Sequence, residues 1–134
     1  MLLVDASVWV AIADPDDAYH QVAHSIVGNV DRPLAALDLT LYEVANVMGP
    51  KKGQPREGRQ LLRLIERRCR DSLIAAGADL LESALEVAAD HSLTAYDAAY
   101  VAAARRHGWT LVSADIADLV SKGLAVAPDA ADYP

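Results

Sequence analysis

"TAYDAAYVAAARRHGWTLVSAD", Thr94–Asp115, decides how this chain is folded. An Ala-rich stretch with helical spacing runs to His107-Gly108, and almost at once the apolar run "TLVSA" follows, which reads as a strand. A link as short as "HGW" turns the chain straight back, so this helix and strand run antiparallel. The start of the helix then lies beside the end of the strand. Asp97 falls in the first helical turn and Asp115 just past the strand. Neither a helix core nor a strand core needs these acids, yet the folding-back brings both to one edge.

The same alternation extends toward both termini. "LLVDAS", "PLAAL", "SLIAAG", "TLVSA" and "LAVAP" are short apolar runs with strand character. Between them lie helical patterns: "VWVAIA", "DAYHQVAHSIVGNV", "TLYEVANVMG" stopping at Gly49-Pro50, "REGRQLLRLIERRCR", "ADLLESALEVAADH", "TAYDAAYVAAARRHG" and the short "DIADLVSKG". Strands alternating with helices predict an α/β fold, one domain over residues 1–134, with a central parallel sheet of about five short strands flanked by helices. The tail, 129–134, is expected to fray.

Composition narrows the function. The chain has 134 residues, 53% of them hydrophobic, enough for one packed core and too many for a disordered chain. No apolar run reaches the length of a membrane span. "MLLVDASVWV" lacks a basic start and carries Asp5, so it does not read as a signal peptide. The single cysteine, Cys69, excludes an internal disulfide and a cysteine-cluster metal site, and a reducing cytoplasm is the natural setting. A net charge of −7 argues against a protein that coats nucleic acid through bulk charge, though not against an enzyme whose acids sit in a site.

In a parallel sheet the strand C-termini share one edge, where ligands bind. Asp5 follows the first strand and Asp115 the fourth; Glu43 is expected in the first turn of the helix leaving the second strand, and Asp97 at the same edge for the reason given above. Each acid alone is explained as a helix cap: Thr40–Glu43 and Thr94–Asp97 fit the capping box, and Asp5 and Asp115 fit N-caps. Together they are four like charges on one rim with no Lys in their local motifs. Such a set either raises its pKa values or recruits a cation, and an all-oxygen set suits Mg²⁺ or Mn²⁺.

These stretches resemble the PIN-domain ribonucleases, and most closely the VapC-type toxins of toxin–antitoxin pairs. "VDASVWV" (Val4–Val10), "YEVANVM" (Tyr42–Met48), "TAYDAAYVAAA" (Thr94–Ala104) and "TLVSAD" (Thr110–Asp115) carry the resemblance, in order and across nearly the whole chain. Asp5, Glu43, Asp97 and Asp115 match the family's catalytic, metal-binding acids; Ser7 and Ser113 match its supporting hydroxyls. "MGPKKGQPREG" departs from the more continuous helical pair expected there. The resemblance implies a Mg²⁺- or Mn²⁺-dependent endoribonuclease that cuts RNA by water attack, leaving 5′-phosphate and 3′-hydroxyl ends. It also implies a VapB-like antitoxin that places a basic side chain in the rim, and a homodimer.

Eight of the twelve Lys and Arg residues lie between Lys51 and Arg70. At helical spacing Arg56, Arg59, Arg63, Arg67 and Arg70 share one face, opposite Leu61, Leu62, Ile65 and Cys69. That face is either solvated or an RNA phosphate track. His20 and His24 have the spacing of a helical metal pair but lack a third ligand, which favours a surface face. Asp118 reads as solvated, Tyr96 and Tyr100 as core or base-stacking residues, Trp9 and Trp109 as core or dimer contacts, and Cys69 as inert packing. A receiver-like phosphoacceptor domain also places acids on such a rim, but it wants adjacent acids after strand one and a Lys after the last strand. A non-catalytic RNA- or protein-binding domain of the same fold is the other alternative.

Overall fold

The computed structural model describes residues 1–131. Four parallel strands, β1 (Leu2–Val4), β2 (Leu34–Leu37), β3 (Leu73–Ile74) and β4 (Thr110–Val112), form a sheet in the order β3-β2-β1-β4. Register pairs Leu3 with Ala35 on one side and with Leu111 on the other. Among the described residues the α-helices are α1 (Ala6–Ala13), α2 (His20–Gly28), α3 (Asp38–Asn46), α4 (Pro55–Cys69), α5 (Ala78–His91), α6 (Ala95–His107) and α7 (Pro128–Ala131). They cover both faces, which is why the strands, apart from the exposed Thr110 that opens β4, are apolar runs without polar alternation.

The pleat sorts the strand residues cleanly. Leu2, Val4, Leu34, Ala36 and Val112 pack with α1, α2 and α4. Leu3, Ala35, Leu37 and Leu111 pack with α5 and α6. α6 lies between the sheet and α5, so every residue from Ala98 to Ala104 is buried. Its alanines are what permit that close approach on all sides. Gly108, with φ of +68°, ends α6 in the left-handed conformation and makes the tight reversal into β4.

Three local expectations are revised. "LAVAP" is no fifth strand: it gives one parallel bridge, Val112 to Val126, because Pro128, without an N–H, opens α7 two residues later. "TLYEVANVMG" does not stop at Gly49-Pro50. It leaves α geometry after Asn46 and continues as a π turn, Val47–Lys51, in which the Lys52 N–H reaches the Val47 carbonyl (2.9 Å) past the donorless Pro50. A Cβ on Gly58 would lie 2.9 Å from that of Met48, so glycine is what lets α4 approach this turn. "DIADLVSKG" is likewise a π turn, Ile116–Val120. Of the expected frayed tail, residues 129–131 belong to α7, with Ala131 buried, and 132–134 lie outside the described residues.

Candidate functional site

Asp5 follows directly on β1, between β2 and β4, and caps α1 by accepting the Ser7 N–H (3.1 Å). The Ser7 hydroxyl also donates to it, as does that of Ser113. Each serine then accepts a backbone N–H from the chain leaving β4: Ser7 from Ala114 and Ser113 from Asp115, both at 3.0 Å. The two hydroxyls thus bind the exits of β1 and β4 together with Asp5 in the middle. Burial, at 6% exposure, pushes the Asp5 carboxyl up to about 6; the serine bonds oppose the rise, and the Glu43 charge adds to it. Capping and site-forming are compatible here, since a cap occupies only part of a carboxylate.

Glu43 arrives by a different route from the one expected. α3 begins at Asp38, immediately after β2, so Thr40 is its third residue and Glu43 its sixth. Thr40 is therefore no N-cap. It is fully buried, accepts the Leu37 N–H (3.2 Å) and bonds the Tyr100 hydroxyl (2.7 Å). Tyr100 in turn donates to Glu43 Oε1 (2.7 Å). Burial raises the Glu43 pKa, the tyrosine bond opposes that, and Asp97 adds repulsion. Tyr100 is core, 2% exposed, and its contact with Glu43 has no local sequence signal beyond sharing a helix face with Asp97.

Asp97 sits where expected, in the first turn of α6, where Thr94 caps by accepting the Asp97 N–H (3.1 Å). Asp115 caps the second π turn by accepting the Asp118 N–H (3.0 Å). Carboxylate oxygens of Asp97, Asp115 and Asp118 lie within 4.8 Å of one another. Asp118 is exposed, as expected, but stands with the rim. The Asp97 pKa is raised by burial and then by the charges of Asp115 and Asp118; Lys122 pulls it the other way while its ammonium donates to the His91 carbonyl (2.7 Å).

The four sequence-predicted acids thus form an electrostatic chain, Glu43 acting on Asp5, Asp97 on Glu43, and Asp115 on Asp97. Among the described residues the ion pairs are Lys52–Asp14 and Arg106–Asp79, and neither neutralises the rim. Crowded carboxylates without an ion-paired cation, those of Asp5, Glu43 and Asp97 with raised pKa values, are the donor set that a hard divalent ion fits.

Other candidates fall away from the rim. His20 and His24 contact the Ala11 and Ile12 carbonyls (2.8 and 3.1 Å) at the C-terminus of α1, where the Asp14 N–H also bonds Ala11. Arg68 is consumed in holding the Val27, Asn29 and Arg32 carbonyls. Arg56, Arg59, Arg63, Arg67 and Arg70 are exposed, opposite the buried Leu61, Ile65 and Cys69; Arg70 folds back toward the Arg67 carbonyl. Tyr96 is exposed, Trp9 is buried core, and Trp109 stacks on His107. Burial pushes the Cys69 thiol up to about 12, consistent with inert packing. No helix among the described residues is long and apolar enough to cross a membrane.

The sequence profile of the PIN domain matches residues 2–118. Ribonuclease VapC3 of Pyrobaculum aerophilum is 32% identical over 118 residues, 85% of this chain and 88% of that protein. A chain of the toxin–antitoxin complex from Klebsiella pneumoniae superposes with a TM-score of 0.71 at 20% identity, covering 96% of this chain and 98% of that one. Mycobacterium tuberculosis VapC20, a sarcin–ricin loop cleaving toxin, gives 0.71 at 22% identity, covering 94% and 97%. At those identities the two structures are alike in fold.

Proposed function

The chain belongs to the PIN-domain family and is closely related to VapC-type toxins, and from that premise we propose that it is a Mg²⁺- or Mn²⁺-dependent endoribonuclease, the toxin of a toxin–antitoxin pair. The observation that carries the reading is the rim itself. Carboxylates from the ends of β1 and β4 and from α3 and α6 converge there, those of Asp5, Glu43 and Asp97 with raised pKa values, and none is in an ion pair among the described residues.

On this reading Asp5, Glu43 and Asp97 hold the ion, and Asp115, with Asp118 beside it, orients its waters or a second ion. A bound Mg²⁺ or Mn²⁺ supplies charge neutralisation at the phosphate and a water acidic enough to attack it, leaving 5′-phosphate and 3′-hydroxyl ends. Ser7 and Ser113 keep the Asp5 carboxylate fixed while it carries charge. The exposed arginines of α4, Arg56, Arg59, Arg63 and Arg67, with Arg70 just past its end, are the proposed phosphate track for RNA. Substituting Arg59, Arg63 and Arg67 by Glu should weaken RNA binding and flatten its salt dependence, since each lost phosphate contact releases one fewer counterion. Metal affinity should stay put.

The partner proposed for the rim is a VapB-like antitoxin whose Arg or Lys enters among the acids, where a guanidinium can pair two carboxylates; a homodimer is the proposed assembly. The superposed Klebsiella chain comes from a toxin–antitoxin complex, which supports the first of these.

The test is cleavage of mixed RNA with and without Mn²⁺. Asp5→Asn, Glu43→Gln and Asp97→Asn should each lower the rate by roughly 100-fold or more with the fold retained, and weaken Mn²⁺ binding. Asp115→Asn should be milder. Unfolded variants and a wild type indifferent to metal would reduce the acids to structural residues.

A further inference from the structure

We propose that Tyr100 is a positioning residue for Glu43: its hydroxyl holds one carboxylate oxygen, Oε1, so that the other is presented to the rim as a single ligand atom. The proposal rests on the metal-dependent reading above.

The hydrogen-bond polarity is fixed along the whole chain of contacts. The Leu37 N–H donates to Thr40 Oγ1 (3.2 Å), and Thr40 Oγ1 lies 2.7 Å from the Tyr100 hydroxyl. Tyr100 has one proton, and it goes to Glu43 Oε1 at 2.7 Å. Thr40 must therefore donate its own proton to Tyr100. A backbone amide at the end of β2 thus orders a line of donors that ends on the carboxylate.

The line joins α3 to α6. Tyr100 and Asp97 are three residues apart on α6 and so share a helix face. The hydroxyl that grips Glu43 is built on the helix that carries Asp97, which fixes the gap between the two acids. Glu43 needs such a grip, because its long side chain starts from the sixth residue of α3 and has several rotatable bonds to order. Packing alone does not account for the hydroxyl. Phe would fill the same volume, and a buried hydroxyl costs free energy unless it is bonded.

The experiment is a Mn²⁺ titration, read by electron paramagnetic resonance, of the wild type, Tyr100→Phe, Glu43→Gln and the double variant, with circular dichroism as the fold control. Tyr100→Phe should bind Mn²⁺ about tenfold more weakly, the scale of one hydrogen bond to a charged group. The Mg²⁺ concentration giving half-maximal cleavage should rise in parallel. Added to Glu43→Gln, the same change should cost nothing more, a coupling that a space-filling role would not produce. Should Tyr100→Phe fold poorly, Thr40→Val gives a smaller shift in the same direction. Wild-type affinity in both variants, or an equal loss with and without Glu43, overturns the proposal while leaving the metal site standing. A wild type that binds no Mn²⁺ overturns the metal reading and this proposal with it.

Discussion

Thr40-Leu41-Tyr42-Glu43 and Thr94-Ala95-Tyr96-Asp97 share one pattern, threonine, any residue, tyrosine, acid, and the fold uses them differently. Thr94 is preceded by a loop through Ser92, held at φ of +55°, and is free to cap α6. Thr40 has no such spacer, because β2 runs to Leu37 and α3 starts at Asp38. Asp38 itself is occupied by the Ala76 N–H (2.9 Å), which ties α3 to the exit of β3. Thr40 is carried a turn inward and its hydroxyl becomes part of the core. The difference teaches that a capping signature states what a helix start prefers, while the end of the preceding strand decides where that start falls. It also accounts for chain length: Asp97, third in its helix, reaches the rim with a short side chain, whereas Glu43, sixth in its helix, uses a longer one. The two stretches feed opposite halves of the rim, Glu43 beside the buried Asp5 and Asp97 beside the more open Asp115 and Asp118.

The largest effect expected from this asymmetry is on stability without metal. Burial pushes the Asp5 carboxyl up to about 6 from its ordinary 3.8, so the folded state holds the proton more tightly than the unfolded one. Its stabilising contribution is complete below about pH 4 and lost as pH rises to about 6, with about 3 kcal/mol at stake by neutral pH. The raised Glu43 and Asp97 groups act in the same sense. Thermal melts in EDTA should therefore show the wild type losing stability across this window. Asp5→Asn should flatten the profile and melt higher than the wild type at pH 7.5. Asp115→Asn, from the open half, should stay within about 0.5 kcal/mol of the wild type. Mn²⁺ binding should strengthen with pH through the same window, because the ligands must shed their protons. Parallel profiles for wild type and Asp5→Asn would mean that burial does not oppose the Asp5 charge.

The same asymmetry marks what the sequence could reveal. Strand runs, their alternation with helices and the reversal at His107-Gly108-Trp109 are local signals, and they sufficed to bring Asp5, Glu43, Asp97 and Asp115 to one edge. The start of α3 falls before Thr40 because β2 runs to Leu37 and leaves no spacer in which Thr40 could cap. The π turn at Val47–Lys51 leaves no signal because Pro50 reads as a stop unless the turn widens around it. The Tyr100–Glu43 bond spans two helices far apart in the chain, and no spacing rule reaches that far. His20 and His24 were visible as a pair, but their partners, carbonyls of another helix, leave no mark on side-chain sequence. Asp118 read as solvated and is exposed; what the sequence hid was its nearness to Asp97.

The smallest and sharpest test compares the two threonines directly. Thr40→Val keeps the shape but leaves the Leu37 N–H without its acceptor and Tyr100 without its donor, both in the core. That should cost about 2 kcal/mol in urea denaturation, within the range for stranding buried polar groups. It should also weaken Mn²⁺ binding, since the line of donors that ends on Glu43 loses its first link. Thr94→Val removes only an exposed cap, the acceptor for the Asp97 N–H, and should cost about 1 kcal/mol. Its Mn²⁺ affinity should stay close to that of the wild type, because water can replace a cap at an exposed helix end and the Asp97 carboxylate is not what Thr94 holds. Equal losses of stability with no change in metal binding would make the two threonines equivalent caps. A metal effect confined to Thr94 would reverse the assignment, placing the control of the rim at the start of α6 instead of between α3 and Tyr100.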